Sequence, residues 1–171
     1  YLKKKNNVNL EVSKKILNKE KNIELSYKKF WEKIVTKSNT IIYLSFNNDL
    51  EDLKKNLSQS FVQNLIPLYI LCEVIRKKQK NIKIVYLSTA SLYANSLKLP
   101  VKESAKKELN NIYECLKYLS EQILINSSNK YLNYQILRLS NVYGENISKK
   151  KQNNRQVLTK IISDAFEKKK N

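Results

Sequence analysis

The sequence predicts an α/β fold in which a parallel sheet is flanked by helices. Two observations carry that expectation. Three short runs, TIIYLSF at 40–46, IKIVYL at 82–87 and YQILRL at 134–139, have the β-branched, aliphatic and aromatic composition of strands. Amphipathic stretches at helical spacing stand between and after them. The order is therefore strand, helix, strand, helix, strand, helix, an alternation that builds parallel sheets through right-handed crossovers.

Each element follows from its own pattern. Residues 1–22 are polar and poorly patterned, with only Val8, Leu10 and Val12 alternating as an edge strand would. Ile23-Glu24-Leu25 reads as a short strand leading to Ser26, a candidate N-cap. Phe30, Trp31, Ile34 and Val35 place a helix over about 27–37. The run at 40–46 is continuous, which predicts a strand covered on both faces. Residues 49–78 read as helix, broken near Ser58-Gln59-Ser60 and bent at Pro67. Ile82–Leu87 is a second buried strand, followed by a loop of small and polar residues over 88–104 and a long helix over about 105–127. Tyr134–Leu139 is the third strand. A loop at 141–154 precedes an amphipathic helix at 155–169 with Val157, Leu158, Ile161, Ile162 and Phe166 on its apolar face.

Composition excludes several kinds of chemistry. The chain has 171 residues, about one domain, and 42% hydrophobic residues support a packed core. It has no His, which removes Ser-His-Asp and Cys-His sets and His-ligated metal, and no metal site is expected. Its single Gly, Gly144, removes a glycine-rich phosphate loop. Cys72 and Cys115 form no CxxC pair, which fits a reducing, cytoplasmic setting. The most apolar stretch, Phe61–Ile75, is too short and too polar to span a bilayer, so no membrane role is expected. The formal charge of +18 attracts phosphate, but all but three of the 33 basic residues are Lys, spread along the whole length. Arg is preferred for bidentate base and phosphate contacts, so no specific nucleic-acid partner is expected. A basic nucleic-acid module would need exposed aromatics interleaved with its charge, whereas the aromatics here fall on strands and apolar helix faces. The first residue is Tyr, which suggests a fragment or a processed product.

Ligands of parallel sheets bind at the carboxyl ends of the strands, so the residues following each strand matter most. After the second strand comes Ser88-Thr89-Ala90-Ser91-Leu92-Tyr93, and after the third comes Asn141-Val142-Tyr143-Gly144. On the helix between them lie Tyr113 and Lys117, four apart and therefore on one face. An ammonium beside a phenol favours the phenolate, and a phenol so tuned exchanges a proton with a substrate hydroxyl. Thr89 is placed to hold that same oxygen. The pair alone says little, because this Tyr and Lys content predicts roughly two Tyr-x-x-x-Lys pairs by chance. Two occur, Tyr1 with Lys5 and Tyr113 with Lys117, and only the second follows a buried strand ending in Ser-Thr.

Here a resemblance becomes specific. IVYLSTASLYA, PVKES, YECLKYLSEQIL and YQILRLSNVYGEN occur in the order and at about the spacing of the NAD-dependent epimerase/dehydratase family. That family belongs to the extended short-chain dehydrogenase/reductase superfamily, and the likeness runs over about 40–169. It implies a Rossmann-like sheet, here an incomplete three-layer sandwich forming a single partial domain over 1–171. It implies that Thr89 binds the sugar oxygen, that Tyr113 is the general acid/base, and that Lys117 tunes the Tyr and binds the nicotinamide ribose. Ser88, Lys117 and Asn141 would contact NAD or NADP. Thr89, Ser91 and Asn141 would contact a nucleotide-sugar substrate. Asn141 closes an R-x-x-N motif begun by Arg138, and Asn64 in FVQNLIPLYIL resembles a structural helix Asn of the family. Glu103 matches a recurrent acidic position, with a helix-start carboxylate as its alternative. Members that dehydrate the sugar carry two acids after the catalytic Thr. Ala90 and Ser91 stand there, so epimerase or reductase chemistry is expected. The family often dimerises through the Tyr-bearing helix, which makes a homodimer compatible with the resemblance.

The departures are equally specific. The family's opening strand and Gly-rich turn have no counterpart, Ser26-Tyr27 stands where an acid near the adenine is expected, and bulky Phe46 stands where small residues usually approach the nicotinamide. The C-terminal substrate region is also missing. The sequence therefore leaves two classes open: a fragment of a nucleotide-sugar epimerase or reductase, or a non-catalytic Rossmann-like remnant or binding module that does not hold NAD by itself.

Overall fold

The computed structural model describes residues 23–93 and 99–142, with the backbone alone at 23–26, and the isolated helical positions Ile161 and Ala165. The expected edge strand near Val8–Val12, the rest of the 141–154 loop and most of the 155–169 helix lie outside the described residues. By contacts the chain falls into two compact units, Tyr1–Arg138 and Leu139–Asn171.

Helix α1 spans Ile23–Lys37. The short strand expected at Ile23–Leu25 is helix instead. The apolar positions at 27, 30–31 and 34 extend back to 23 at the same spacing, and that periodicity overrides the local preference of three residues. The expectation of an acid after that strand loses its basis with it. Strand β1 is Thr40–Tyr43. Ile41 and Tyr43 are buried while Ile42 is 52% exposed, so β1 is covered on one face among the described residues, not on two. The continuous apolar run recorded composition. Coverage depends on which elements pack there.

The stretch after β1 forms three helices: α2 (Leu50–Lys55), α3 (Leu57–Asn64) and α4 (Ile66–Lys78). The break falls at Asn56 rather than at Ser58–Ser60. Asn56 is extended, and its Oδ1 accepts the Gln59 N–H at 3.0 Å, so it caps α3. Ser60 keeps its helical place by donating to the carbonyls of Leu53 and Asn56. Pro67 sits in the first turn of α4, where its missing N–H costs nothing, so it begins a helix rather than bending one. Gln79 ends α4 in the left-handed region at φ 51°.

Strand β2 is Ile82–Thr89, followed by a 3₁₀ turn at Ala90–Tyr93. Helix α5 spans Ile112–Ser127, seven residues shorter at its start than the pattern suggested. Asn111 Oδ1 accepts the Glu114 N–H at 3.0 Å, and Glu114 Oε2 accepts the Asn110 N–H at 2.7 Å. This reciprocal cap fixes the start more strongly than the helix-forming composition of 105–109. Strand β3 is Leu132–Leu139.

The sheet is parallel, three-stranded and ordered β1-β2-β3, with Ile41 opposite Ile84 and Tyr43 opposite Tyr86. Tyr27, Trp31 and Val35 of α1, Leu71 and Ile75 of α4, Leu124 of α5 and Leu132 of β3 close one core around Ile84 and Tyr86. Rings of Trp31, Tyr43 and Tyr86 follow one another at 6.0 and 6.1 Å between centroids. The fold is thus α/β, and the segment in which the sequence places Ser88, Thr89 and Ser91 lies at the carboxyl end of β2.

Candidate active site

Tyr113 and Lys117 occupy the first two turns of α5, and α5 packs against β2. Lys117 is only 7% exposed. Its Nζ donates to the Leu87 carbonyl at 2.7 Å, two residues before the end of β2. That bond fastens the ammonium to the strand end. Around it stand three rings, with Phe46 at 4.0 Å, Tyr86 at 5.1 Å and Tyr113 at 5.9 Å from Nζ to centroid. Phe46 also meets Tyr113 edge-on at 5.7 Å. Burial pushes the Lys117 pKa down to about 8, and the nearby Glu121 carboxylate pulls partly the other way.

Thr89 closes β2 half-buried. Its Oγ1 lies 2.8 Å from Ser91 Oγ and accepts the Ser91 N–H at 3.2 Å, so the two hydroxyls orient each other. Ser88 is buried, and its Oγ has no hydrogen-bond partner among the described residues. Lys117, Ser88, Thr89 and Ser91 are thus gathered on β2, its following turn and the helix packed against it. Asn141 follows β3, exposed, in the other compact unit.

Arg138 does something the sequence did not announce. Its Nε and Nη2 donate to the two carboxylate oxygens of Glu121 at 2.8 and 2.6 Å. Its Nη1 donates to the Tyr93 hydroxyl, which in turn donates to the Glu103 carbonyl at 3.0 Å. One guanidinium therefore ties β3, α5, the 3₁₀ turn and the 99–111 segment together. Glu103 contributes its backbone carbonyl to this junction, and it does not start a helix, which removes the helix-start alternative. Glu121 was legible as the third member of a row spaced by four, Tyr113, Lys117 and Glu121. Asn64 is fully buried. It accepts the Asn47 N–H at 2.7 Å and donates to the Ser60 carbonyl at 2.9 Å, which pins the segment carrying Phe46.

A sheet of this order, with a Tyr and a Lys four apart on the helix beside the carboxyl end of its middle strand, defines a Rossmann-like protein of the short-chain dehydrogenase/reductase type. The chain belongs to the NAD dependent epimerase/dehydratase family, whose model matches residues 3–171. Among solved structures, a UDP-N-acetylglucosamine 4-epimerase from Methanobrevibacter ruminantium matches with a TM-score of 0.63 at 18% identity, over 87% of this chain and 46% of its own. The UDP-Glc/GlcNAc 4-epimerase of Campylobacter jejuni matches at 0.63 and 22% identity, over 81% and 43%. A dTDP-4-dehydrorhamnose reductase from Bacillus anthracis, in complex with NADP, matches at 0.61 and 22% identity, over 81% and 46%. The likeness at these identities is one of fold, and the chain spans less than half the length of these proteins. No curated protein matches the chain. Among the described residues no helix is long and apolar enough to cross a membrane, and no group of His, Cys, Asp and Glu could hold a metal ion.

Proposed function

We propose that this chain supplies the proton-handling residues of a cytoplasmic nucleotide-sugar epimerase or reductase that works with NAD or NADP. The observation that supports the reading is the Lys117–Leu87 bond, which brings the Tyr113 helix to the Thr89 end of β2. A dinucleotide fits the donor set in one respect. The buried Lys117 ammonium has a single hydrogen-bond acceptor among the described residues, so two of its three donors are left for ribose hydroxyls.

On this reading Tyr113, as the phenolate, takes the proton of a sugar hydroxyl whose oxygen the Thr89 hydroxyl holds, and becomes the phenol. Ser91 orients Thr89 for that bond. Lys117 supplies positive charge beside the phenol. For Asn141, after β3, the family resemblance alone supports a contact to substrate or cofactor. The nicotinamide, when bound, supplies the hydride transfer. Ala90 and Ser91, in place of acids, favour epimerisation or ketone reduction over dehydration.

The test is turnover of UDP- and dTDP-sugars by the full-length protein that carries this chain. Tyr113→Phe is expected to lower turnover by at least about 10²-fold while leaving cofactor affinity unchanged. Unchanged turnover would remove Tyr113 from the mechanism. A second reading, a non-catalytic remnant, is favoured by Phe46 lying over the ammonium. It predicts neither turnover nor saturable NAD or NADP binding by calorimetry.

A further inference from the structure

Phe46 is the residue the proposed chemistry does not use and cannot ignore. It lies on the irregular segment between β1 and α2, three residues past Tyr43, the last residue of β1. Its ring faces the Lys117 Nζ at 4.0 Å and meets Tyr113 edge-on. A ring at that distance attracts an ammonium, but it offers no hydrogen-bond acceptor and fills the space an acceptor would occupy. The segment is held from below. The Asn47 N–H, next in sequence, donates to the buried Asn64, and the Asp49 N–H donates to Asn47 Oδ1 at 3.1 Å. Asn64 is itself anchored to its own helix through the Ser60 carbonyl.

We propose that Phe46 is a displaceable cap on the Lys117 ammonium, held shut by the Asn64–Asn47 hydrogen bond. A ligand bearing hydroxyl acceptors, the ribose of a dinucleotide if the function above holds, reaches Lys117 only in the conformer where the ring has swung away. The cap makes access to Lys117 a separate equilibrium from ligand binding, and it lowers apparent affinity by the fraction of open molecules. Phe46 is on this account an access residue. It donates nothing to the chemistry, and its removal opens the site.

The experiment is amine acylation of Lys117, read by residue-resolved mass spectrometry as a rate against pH. The alkaline plateau reports access, and the midpoint reports ionisation, so the two effects separate. A minor state a few kcal/mol away is about 0.1–10% populated, so Phe46→Ala should raise the plateau at least about tenfold. Asn64→Ala, which frees the segment, should raise it less, and Phe46→Leu, which keeps apolar bulk, should fall between Phe46→Ala and wild type. Cooperative urea unfolding identifies which variants are folded, and if Phe46→Ala is not, Phe46→Leu decides. Wild-type plateau rates in the folded Phe46 variants would overturn the cap. The labelling uses no dinucleotide. A raised plateau without tighter NAD or NADP binding would uphold the cap and sink the nucleotide-sugar reading. Tighter binding with an unchanged plateau would do the reverse.

Discussion

Replacing Lys117 by Met should stabilise the fold at neutral pH. The side chain is 7% exposed, and burial lowers its pKa from an ordinary 10.5 to about 8. At 1.36 kcal/mol per pH unit, that gap is worth about 3 kcal/mol against the folded state while the group is charged in both states. The sign follows from proton counts. Below pH 8 folded and unfolded chains both hold the proton, and the fold carries the whole penalty. Between about 8 and 10.5 the unfolded chain holds a proton the folded one has released, so stability rises with pH by up to about 1.4 kcal/mol per unit. Above 10.5 both are neutral and the penalty is gone. Met keeps the apolar stem but loses the bond to the Leu87 carbonyl, worth about 1 kcal/mol.

The variant should therefore be about 2 kcal/mol more stable than wild type near pH 7 and about 1 kcal/mol less stable above 10.5. Urea unfolding of both proteins across pH 6–11, followed by circular dichroism, measures the difference directly. Tyrosines and surface lysines titrate in both and cancel. A difference that does not change with pH, or a Met variant less stable at pH 7, would refute the argument that the ammonium is held at a cost to folding.

Four other outcomes follow from the same structure. Arg138→Ala leaves the fully buried Glu121 carboxylate unpaired and should cost about 3–5 kcal/mol in urea unfolding, far more than a surface ion pair. Gln79→Gly relieves a left-handed residue at the end of α4 and should add about 1 kcal/mol by the same measurement. Burial pushes the Cys72 thiol up to about 11, so iodoacetamide should modify Cys72 only as the chain unfolds globally, at the rate set by urea. If the proposed function holds, turnover should fall as pH rises through about 8, where Lys117 loses its charge, and flat turnover across that range would separate Lys117 from the chemistry.

The long strand runs were legible because their signal is compositional, and those predicted at 40, 82 and 134 are the strands found among the described residues, whereas the three-residue run at Ile23–Leu25 was too short to outweigh helical periodicity. Helix starts were less so. The stretch at 105–109 has helix-forming residues, but the Asn110–Asn111–Glu114 cap is a geometric device that no propensity sum reveals. The coverage of β1 was misjudged for a similar reason, since Ile42 has a strand's composition and no described element over it. At the site, the spacing of Tyr113 and Lys117 foretold their shared helix. It did not foretell the Leu87 carbonyl, because a backbone acceptor has no sequence signature. Phe46 was visible as a bulky residue at an unexpected place. Its position over Lys117 depends on a bond from Asn64, which is 17 residues away from Asn47 in sequence.

The partition of charge at the base of the site bears on why Lys117 is buried at all. Glu121 lies one turn beyond Lys117 on the same helix face and is the nearest candidate for its counterion. Yet both Glu121 oxygens are taken by Arg138. Among the described residues Lys117 donates only to a backbone carbonyl, with aromatic faces around it and Glu121 acting on it through charge alone. A chain shaped for stability alone would pair the ammonium with Glu121 or replace it by an apolar side chain, because an ammonium without a carboxylate is expensive to bury. Arg138 also fixes Tyr93 and, through it, Glu103, so the same guanidinium that hydrogen-bonds both Glu121 oxygens sets the segment beyond β2. Local violations of folding economy concentrate where a ligand completes the bonding. On the proposed function, the two Lys117 donors without a partner among the described residues, closed in by Phe46, mark that place.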